Sequence, residues 1–283
     1  MGFGPSHSSG RGSALLLSAK TVWKSSARMT GIVAALVWEL SGLKRRIEKG
    51  KLERIEGLRF LSGILAGTEV VLVASGIGQE QAAYAARLLL QRFQPSLLLS
   101  IGFAGALQSE LQPADLILGE RIIGTRGKGD LLEVLPLSPA LLTQAEQAAK
   151  TSGLRWWKGT LLCSNRMLIE PREKSEAAES EALAVEMESW AIAQIALKAG
   201  VPFLAVKTIS DLLDQGLGLD FNRLLDRNGY PAYSKILLAI LTHPGALPSL
   251  WRLQRTTTRA KRSLTTFLAR FLGQLDSANI YPS

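Results

Sequence analysis

Three carboxylates stand at the ends of apolar runs in this sequence. Glu39 follows GIVAALVW, Glu188 follows LAVEM with Glu186 two places before it, and Asp211 closes PFLAVKTIS. Carboxylates are rarely buried unless something pairs with them, so acids at the ends of core segments raise the question of what they face. The chemistry open to them is acid–base chemistry. The chain has one cysteine, Cys163, and two histidines, His7 and His243. A disulfide, a cysteine-rich metal site, a histidine-ligated zinc and a Ser-His-Asp triad are all disfavoured by that inventory. No metal and no cofactor is expected. If the chain is an enzyme, its carboxylates do the work.

The elements that must hold these acids are readable from their periodicity. IVAAL (32–36), EVVLVAS (69–75), SLLLSI (96–101), DLILGERIIG (115–124), GTLLCSN (159–165) and VPFLAVKTIS (201–210) are continuous apolar strands. Between them lie amphipathic helices. QEQAAYAARLLLQRF follows Gly78; SPALLTQAEQAAKTSG has Ser138 as N-cap, Pro139 in its first turn and Gly153 past its end; MESWAIAQIALKAG ends at Gly200. A further helix is expected from about Trp38 through KRRIEKG. Unbroken apolar strands alternating with helices indicate a single-domain α/β/α sandwich with a mixed, mainly parallel sheet. In such sheets ligands bind beyond the carboxyl ends of the strands, where Glu39, Gly76-Ile77-Gly78, Gly102 to Gly105, Glu188 and Asp211 collect. Taken singly, Glu39 and Glu188 read as first-turn helix acids favoured by the helix dipole, and Asp211 as a cap after a strand. Three together, beside glycine-rich turns, favour a site.

The charge is unevenly spread. The net +9 divides into +4 over residues 1–28, +6 over residues 244–275, and −1 for the remainder. The basic balance therefore belongs to the two ends. Residues 1–28 are Ser-rich and acid-free and read as a disordered extension or a mis-called start, with Met29 the preferred one. No run approaches the ~20 apolar residues of a spanning helix. SGIG after a strand suggests dinucleotide binding, but position 81 is Gln and no acid follows about 20 residues on, so NAD is rejected.

GIVAALVWEL, SGIGQEQAA, LLLSIGFAGAL…DLIL, AVEMESWAIA and PFLAVKTISD, in that order, resemble the signatures of the nucleoside phosphorylase/nucleosidase superfamily. They cover roughly residues 31–215, and the familiar relatives are methylthioadenosine/adenosylhomocysteine nucleosidases. The resemblance implies cleavage of an N-glycosidic bond in a catalytic domain spanning 29–243. It assigns Asp211 to protonation of the departing purine at N7, with Ser210 holding that aspartate. Glu188 would bind the ribose hydroxyls, Met187 would pack under the sugar, and Glu39 would activate the attacking water. Gly102, Ala104 and Gly105 would let the substrate approach closely. An oxocarbenium-like state needs one protonated acid and others ionised beside the growing positive charge. Asp211 is the one whose pKa burial is expected to raise. Phe103 replaces a serine usual in the family, and Lys207 replaces an arginine and loses its fork. With no arginine in SIGFAG, water is preferred to phosphate as nucleophile.

Residues 244–283 form a basic amphipathic extension. Leu264, Phe267, Leu268, Phe271, Leu272 and Leu275 follow i, i+3, i+4 spacing, which fits either packing on the core or an anionic membrane surface. This tail resembles the hopanoid-associated branch of the superfamily. That likeness implies hydrolysis of adenosylhopane to ribosylhopane and adenine, a cytoplasmic enzyme peripheral on the inner face of the membrane, and an apolar pocket to which Phe103 and Trp190 could contribute. A methylthioadenosine/adenosylhomocysteine-type nucleosidase, a purine nucleoside phosphorylase and a non-catalytic nucleoside-binding protein are the competing readings. Nucleic acid is not an expected partner, and a homodimer is implied by the family likeness alone.

Overall fold

Segments that are apolar without alternation become strands covered on both faces. In the computed structural model, which describes residues 29–126, 130–226 and 228–275, β1 (Thr30–Ala34) is buried along its whole length. It lies parallel between β4 (Thr68–Ala74) and β5 (Leu97–Ala106). Two antiparallel strands, β2 (Glu48–Ile55) and β3 (Leu58–Leu65), extend the sheet beyond β4. On the other side the sheet curls. β5 pairs with β10 (Phe203–Asp211), β10 with β6 (Leu116–Arg126), β6 with β8 (Trp156–Cys163), β8 with β9 (Ala184–Glu186), and β9 returns to β5. Five strands thus close a ring, and β7 (Asp130–Pro136) hangs on β6. The N-terminal extension expected over residues 1–28 lies outside the described residues.

The closure of that ring creates an opening. β10 occupies one edge of β5 from Leu98 to Gly105. The other edge is shared: β1 pairs with Leu97 to Ser100, and β9 with Gly105 and Ala106. Between Ser100 and Gly105 that edge has no strand neighbour. The sheet splits there, at the carboxyl end of β1, which is where α/β sheets take ligands.

Helices cover both faces. α2 (Gln79–Phe93) and α5 (Ser189–Ala199) bury Ala82, Ala85, Leu89, Ala193 and Ala196 against one face. α3 (Pro139–Ser152) and α7 (Leu247–Gln274) bury Leu141, Ala148, Leu264, Phe267 and Phe271 against the other. α3 starts and stops as its sequence requires: the Ser138 hydroxyl accepts from the Leu141 amide, and Gly153 adopts a left-handed φ of 71°. The remaining helices are α1 (Ser41–Lys44), α4 (Pro171–Ala178) and α6 (Tyr233–Thr242).

One expectation needs correction. The helix expected through KRRIEKG stops at Lys44, and Glu48–Ile55 is an edge strand. Its lysines, arginine and glutamates suit a strand with one free edge, where charge discourages pairing with another chain. Of the two readings left open for the apolar stripe of the C-terminal extension, the structure has packing on the core. Leu264, Phe267, Leu268, Phe271 and Leu272 are all buried beneath the sheet, with Leu275 packed beside them.

Candidate active site

The split edge of β5 places Glu39. The chain leaves β1 at Ala34 and turns so that the Glu39 carboxylate accepts from the Leu36 amide (2.7 Å) and from the Phe103 amide (3.1 Å). The second donor is a backbone N–H that the split leaves without a strand partner. Gly102 makes the approach possible. Its φ is +150°, and a Cβ there would lie 2.8 Å from Glu39 Oε1. Burial raises the Glu39 pKa, opposed by the Leu36 amide, by Lys207 and by the Phe103 amide.

β9 and the start of α5 bring in Glu186 and Glu188, and β10 brings Lys207. All three are buried. Lys207 Nζ lies 2.9 Å from Glu186 Oε2 and 3.9 Å from Glu188 Oε2. Glu186 also accepts from the Glu188 and Ser189 amides and from the Ser189 hydroxyl. Burial disfavours its charge, but Lys207 and these donors outweigh burial and lower its pKa. Glu188 receives less support. Its Oε1 accepts from the Gly78 amide at 3.0 Å, and burial, reinforced by the charges of Glu186 and Glu39, lifts its pKa to about 7 against the pull of Lys207.

A measurable consequence follows from Glu188. A carboxyl held near pH 7 in the fold and near 4.5 in the unfolded chain costs stability once both states are ionised. The cost is absent below pH 4.5 and full above pH 7, about 3 kcal/mol at most at ~1.4 kcal/mol per pH unit of displacement. Glu188→Gln removes it and keeps an acceptor for Gly78. The variant is expected to melt several degrees higher than the parent at pH 8 and at the parent's temperature at pH 4. Thermal melts at the two pH values check it.

Asp211 ends β10, which pairs with the opposite edge of β5. Its Oδ1 accepts from the Ser210 hydroxyl at 2.6 Å, and Oδ2 is paired with Lys174 Nζ. Ser210 also donates to the Ala104 carbonyl (3.3 Å), which ties the aspartate to β5. A Cβ at Gly105 would sit 2.9 Å from Asp211 Oδ2, so the missing side chain makes room for the acid. Burial raises the pKa of Glu39 and Glu188, and Asp211 is paired with the Lys174 ammonium.

These groups line one cavity of about 460 Å³, within the usual range for ligand sites. Glu39, Glu188, Asp211, Ser210, Met187, Ala104 and Gly105 reach it; Gly102 stands behind Glu39. Phe103 forms part of the wall, with its ring 5.1 Å from that of Trp38. Trp190 does not: it is core, packed where a Cβ on Gly124 would collide with its ring. The lining also includes the apolar Leu217, Phe221, Leu224, Leu225 and Leu253. Among the described lining residues, both cations are committed, Lys174 to Asp211 and Arg166 to Glu173. Sequence reasoning left Lys174 outside the site, and placed Gly78 and Glu186 at the strand ends without giving either a role. Glu186 carried a signal, as an acid two residues from Glu188 on a buried strand. Lys174, in EPREKSEAAES, carried none.

A family model described as the phosphorylase superfamily matches residues 30–242. The chain belongs to the phosphorylase superfamily. It is 29% identical over 212 residues to a 5′-methylthioadenosine/S-adenosylhomocysteine nucleosidase of Staphylococcus aureus, covering 70% of this chain and 93% of that protein. Its fold is similar to that of the Neisseria meningitidis 5′-methylthioadenosine/S-adenosylhomocysteine nucleosidase solved with methylthio-immucillin-A. There the TM-score is 0.70 at 21% identity, over 88% of this chain and 100% of that one. It is also similar to the Helicobacter pylori futalosine hydrolase, with a TM-score of 0.69 at 18% identity, over 88% and 98% of the two chains. The sandwich read from the strand pattern is thus the phosphorylase-superfamily fold.

Proposed function

We propose that this superfamily member hydrolyses the N-glycosidic bond of a 5′-modified adenine nucleoside, as the names of its nucleosidase relatives describe for them. The observation that carries the reading is Asp211 facing Glu39 and Glu188 across one cavity whose lining cations are already paired. In the reaction the C1′–N9 bond breaks and its electron pair leaves with adenine, which takes a proton from Asp211 at N7. The water oxygen bonds to C1′ and passes its proton to Glu39. Glu188 accepts from the ribose hydroxyls, and Met187 packs under the sugar. The positive charge that grows on the ribose meets the Glu39 and Glu188 carboxylates. A phosphate nucleophile would meet the same two acids, and both cations among the described lining residues are already paired. Adenine release is expected at the same rate with and without phosphate; a strict phosphate requirement would replace hydrolysis with phosphorolysis.

A second reading refines the substrate to a lipid-tailed nucleoside, adenosylhopane, giving ribosylhopane. The apolar lining residues Leu217, Phe221, Leu224, Leu225 and Leu253 favour it, because they offer an aliphatic 5′ substituent apolar contacts. Exposed apolar residues on the neighbouring helices also favour it: Leu238 and Leu241 on α6, Leu247 and Trp251 on α7. Arg255 lies 3.7 Å over the Trp251 ring, and Arg252 and Arg259 are exposed nearby in sequence. Apolar anchors among arginines suit an anionic membrane surface, and no described helix is long and apolar enough to cross a membrane. A series of 5′-alkylthioadenosines from methyl to decyl tests the refinement. kcat/KM rising with chain length supports it. A steep fall beyond methyl leaves a methylthioadenosine/adenosylhomocysteine-type enzyme.

A further inference from the structure

α4 is bound to the domain in an unusual way. Of its eight residues, the one fully buried side chain is a lysine, Lys174. A helix held only for packing would bury an apolar side chain there, since an ammonium loses its hydration on burial and needs every donor satisfied. Lys174 has three donors and three acceptors: Asp211 Oδ2, the Leu212 carbonyl at 2.7 Å and the Gln215 carbonyl at 3.0 Å. The same ammonium therefore grips the side chain at the end of β10 and both ends of the turn that follows it. Ser210 holds the other carboxyl oxygen. The carboxyl is fixed between a hydroxyl and an ammonium, and the ammonium sits where negative charge appears when Asp211 gives up a proton.

We propose that Lys174 is a positioning residue for leaving-group protonation, aiming the Asp211 carboxyl at the departing base and stabilising the carboxylate left after proton transfer. The inference rests on the nucleosidase reading above. In the balance of that step, the proton moves from Asp211 to adenine N7, the base leaves neutral, and the negative charge stays on Asp211 against Lys174. The lysine keeps its own three protons throughout.

The test separates acid assistance from everything else the site does. Adenine departs readily only when protonated, whereas 4-nitrophenolate departs without a proton. Lys174→Met and Asp211→Asn are assayed on methylthioadenosine and on the 4-nitrophenyl glycoside of 5-methylthioribose. Both variants are expected to lose about 10²-fold or more in kcat on methylthioadenosine, the range of one acid–base contribution, and to stay within about threefold of the parent on the nitrophenyl substrate. Glu39→Gln, which impairs the water, should lose activity on both. Equal losses on both substrates for Lys174→Met would reduce the lysine to a structural anchor and overturn the inference, as would full activity on methylthioadenosine. If the methionine variant does not fold, Lys174→Gln, which can still donate to a carbonyl of the turn, gives the same discrimination. Should the parent protein release neither adenine nor nitrophenol, the nucleosidase reading fails first and the inference falls with it.

Discussion

Asp211→Asn lowers adenine release from methylthioadenosine by about 10²–10⁴-fold, the span of a positioned general acid. An amide has no proton to give to N7, so the base must leave as an anion. The substitution changes little else near the reacting atoms. Asparagine is close to isosteric and can still accept from the Ser210 hydroxyl or from Lys174. Binding is accordingly retained: the dissociation constant for an unreactive adenine nucleoside analogue shifts far less than kcat. The measurement is kcat and analogue affinity on the same preparation. Parent-like kcat would remove Asp211 from the role of acid. A loss of analogue affinity matching the loss of kcat would make it a binding group instead.

Lys207→Met has the largest expected effect on the fold. Lys207 is buried and holds three acids in balance: Glu186 at 2.9 Å, Glu188 at 3.9 Å, and Glu39, whose pKa it lowers. Removing one partner of a buried ionic cluster typically costs about 3–5 kcal/mol, because the charges left behind have neither water nor a counter-ion. For a chain of this size that is a fall of about 10 °C in melting temperature. The pH dependence has a defined sign. Glu186, with its lowered pKa, stabilises the parent at pH values above the unfolded value of 4.5, and that contribution fades as pH falls through the lowered value. In the variant the same carboxylates take up protons instead. The gap between parent and variant is therefore widest near pH 8 and narrows toward pH 4. Adding Glu186→Gln to Lys207→Met should recover part of the loss, since one of the stranded charges is gone. A variant as stable as the parent at pH 8 would mean that the cluster does not need its cation.

The strands that frame the site were legible because they are apolar without interruption, a pattern that only burial on both faces explains. IVAAL, SLLLSI and PFLAVKTIS became β1, β5 and β10 for that reason. The start of β2, Glu48 to Gly50, was misread as helix and the rest was not read, because an edge strand rich in lysine, arginine and glutamate has no apolar face from which to read its period. The acids were legible as chain ends of core segments; their partners were not. Lys174 reaches Asp211 from 37 residues away, off a helix whose sequence looks solvated throughout. No local pattern encodes such a pair. The C-terminal stripe shows the same limit from the other side. Spacing from Leu264 to Leu272 defined a helix face, but a face has no address, and the sheet rather than a membrane covers it. Lys207 was noticed as a substitution for arginine, yet the three acids it serves become a cluster only when β1, β9 and β10 meet at the split in the sheet.

The most direct test of the account is adenine release from methylthioadenosine in phosphate-free, ¹⁸O-enriched water, with the sugar product analysed by mass. The account predicts adenine together with methylthioribose carrying one ¹⁸O, formed by the parent and nearly absent with Asp211→Asn. Adenine appearing only after phosphate is added, together with a sugar 1-phosphate, would contradict water as the nucleophile in the cavity between Glu39 and Asp211.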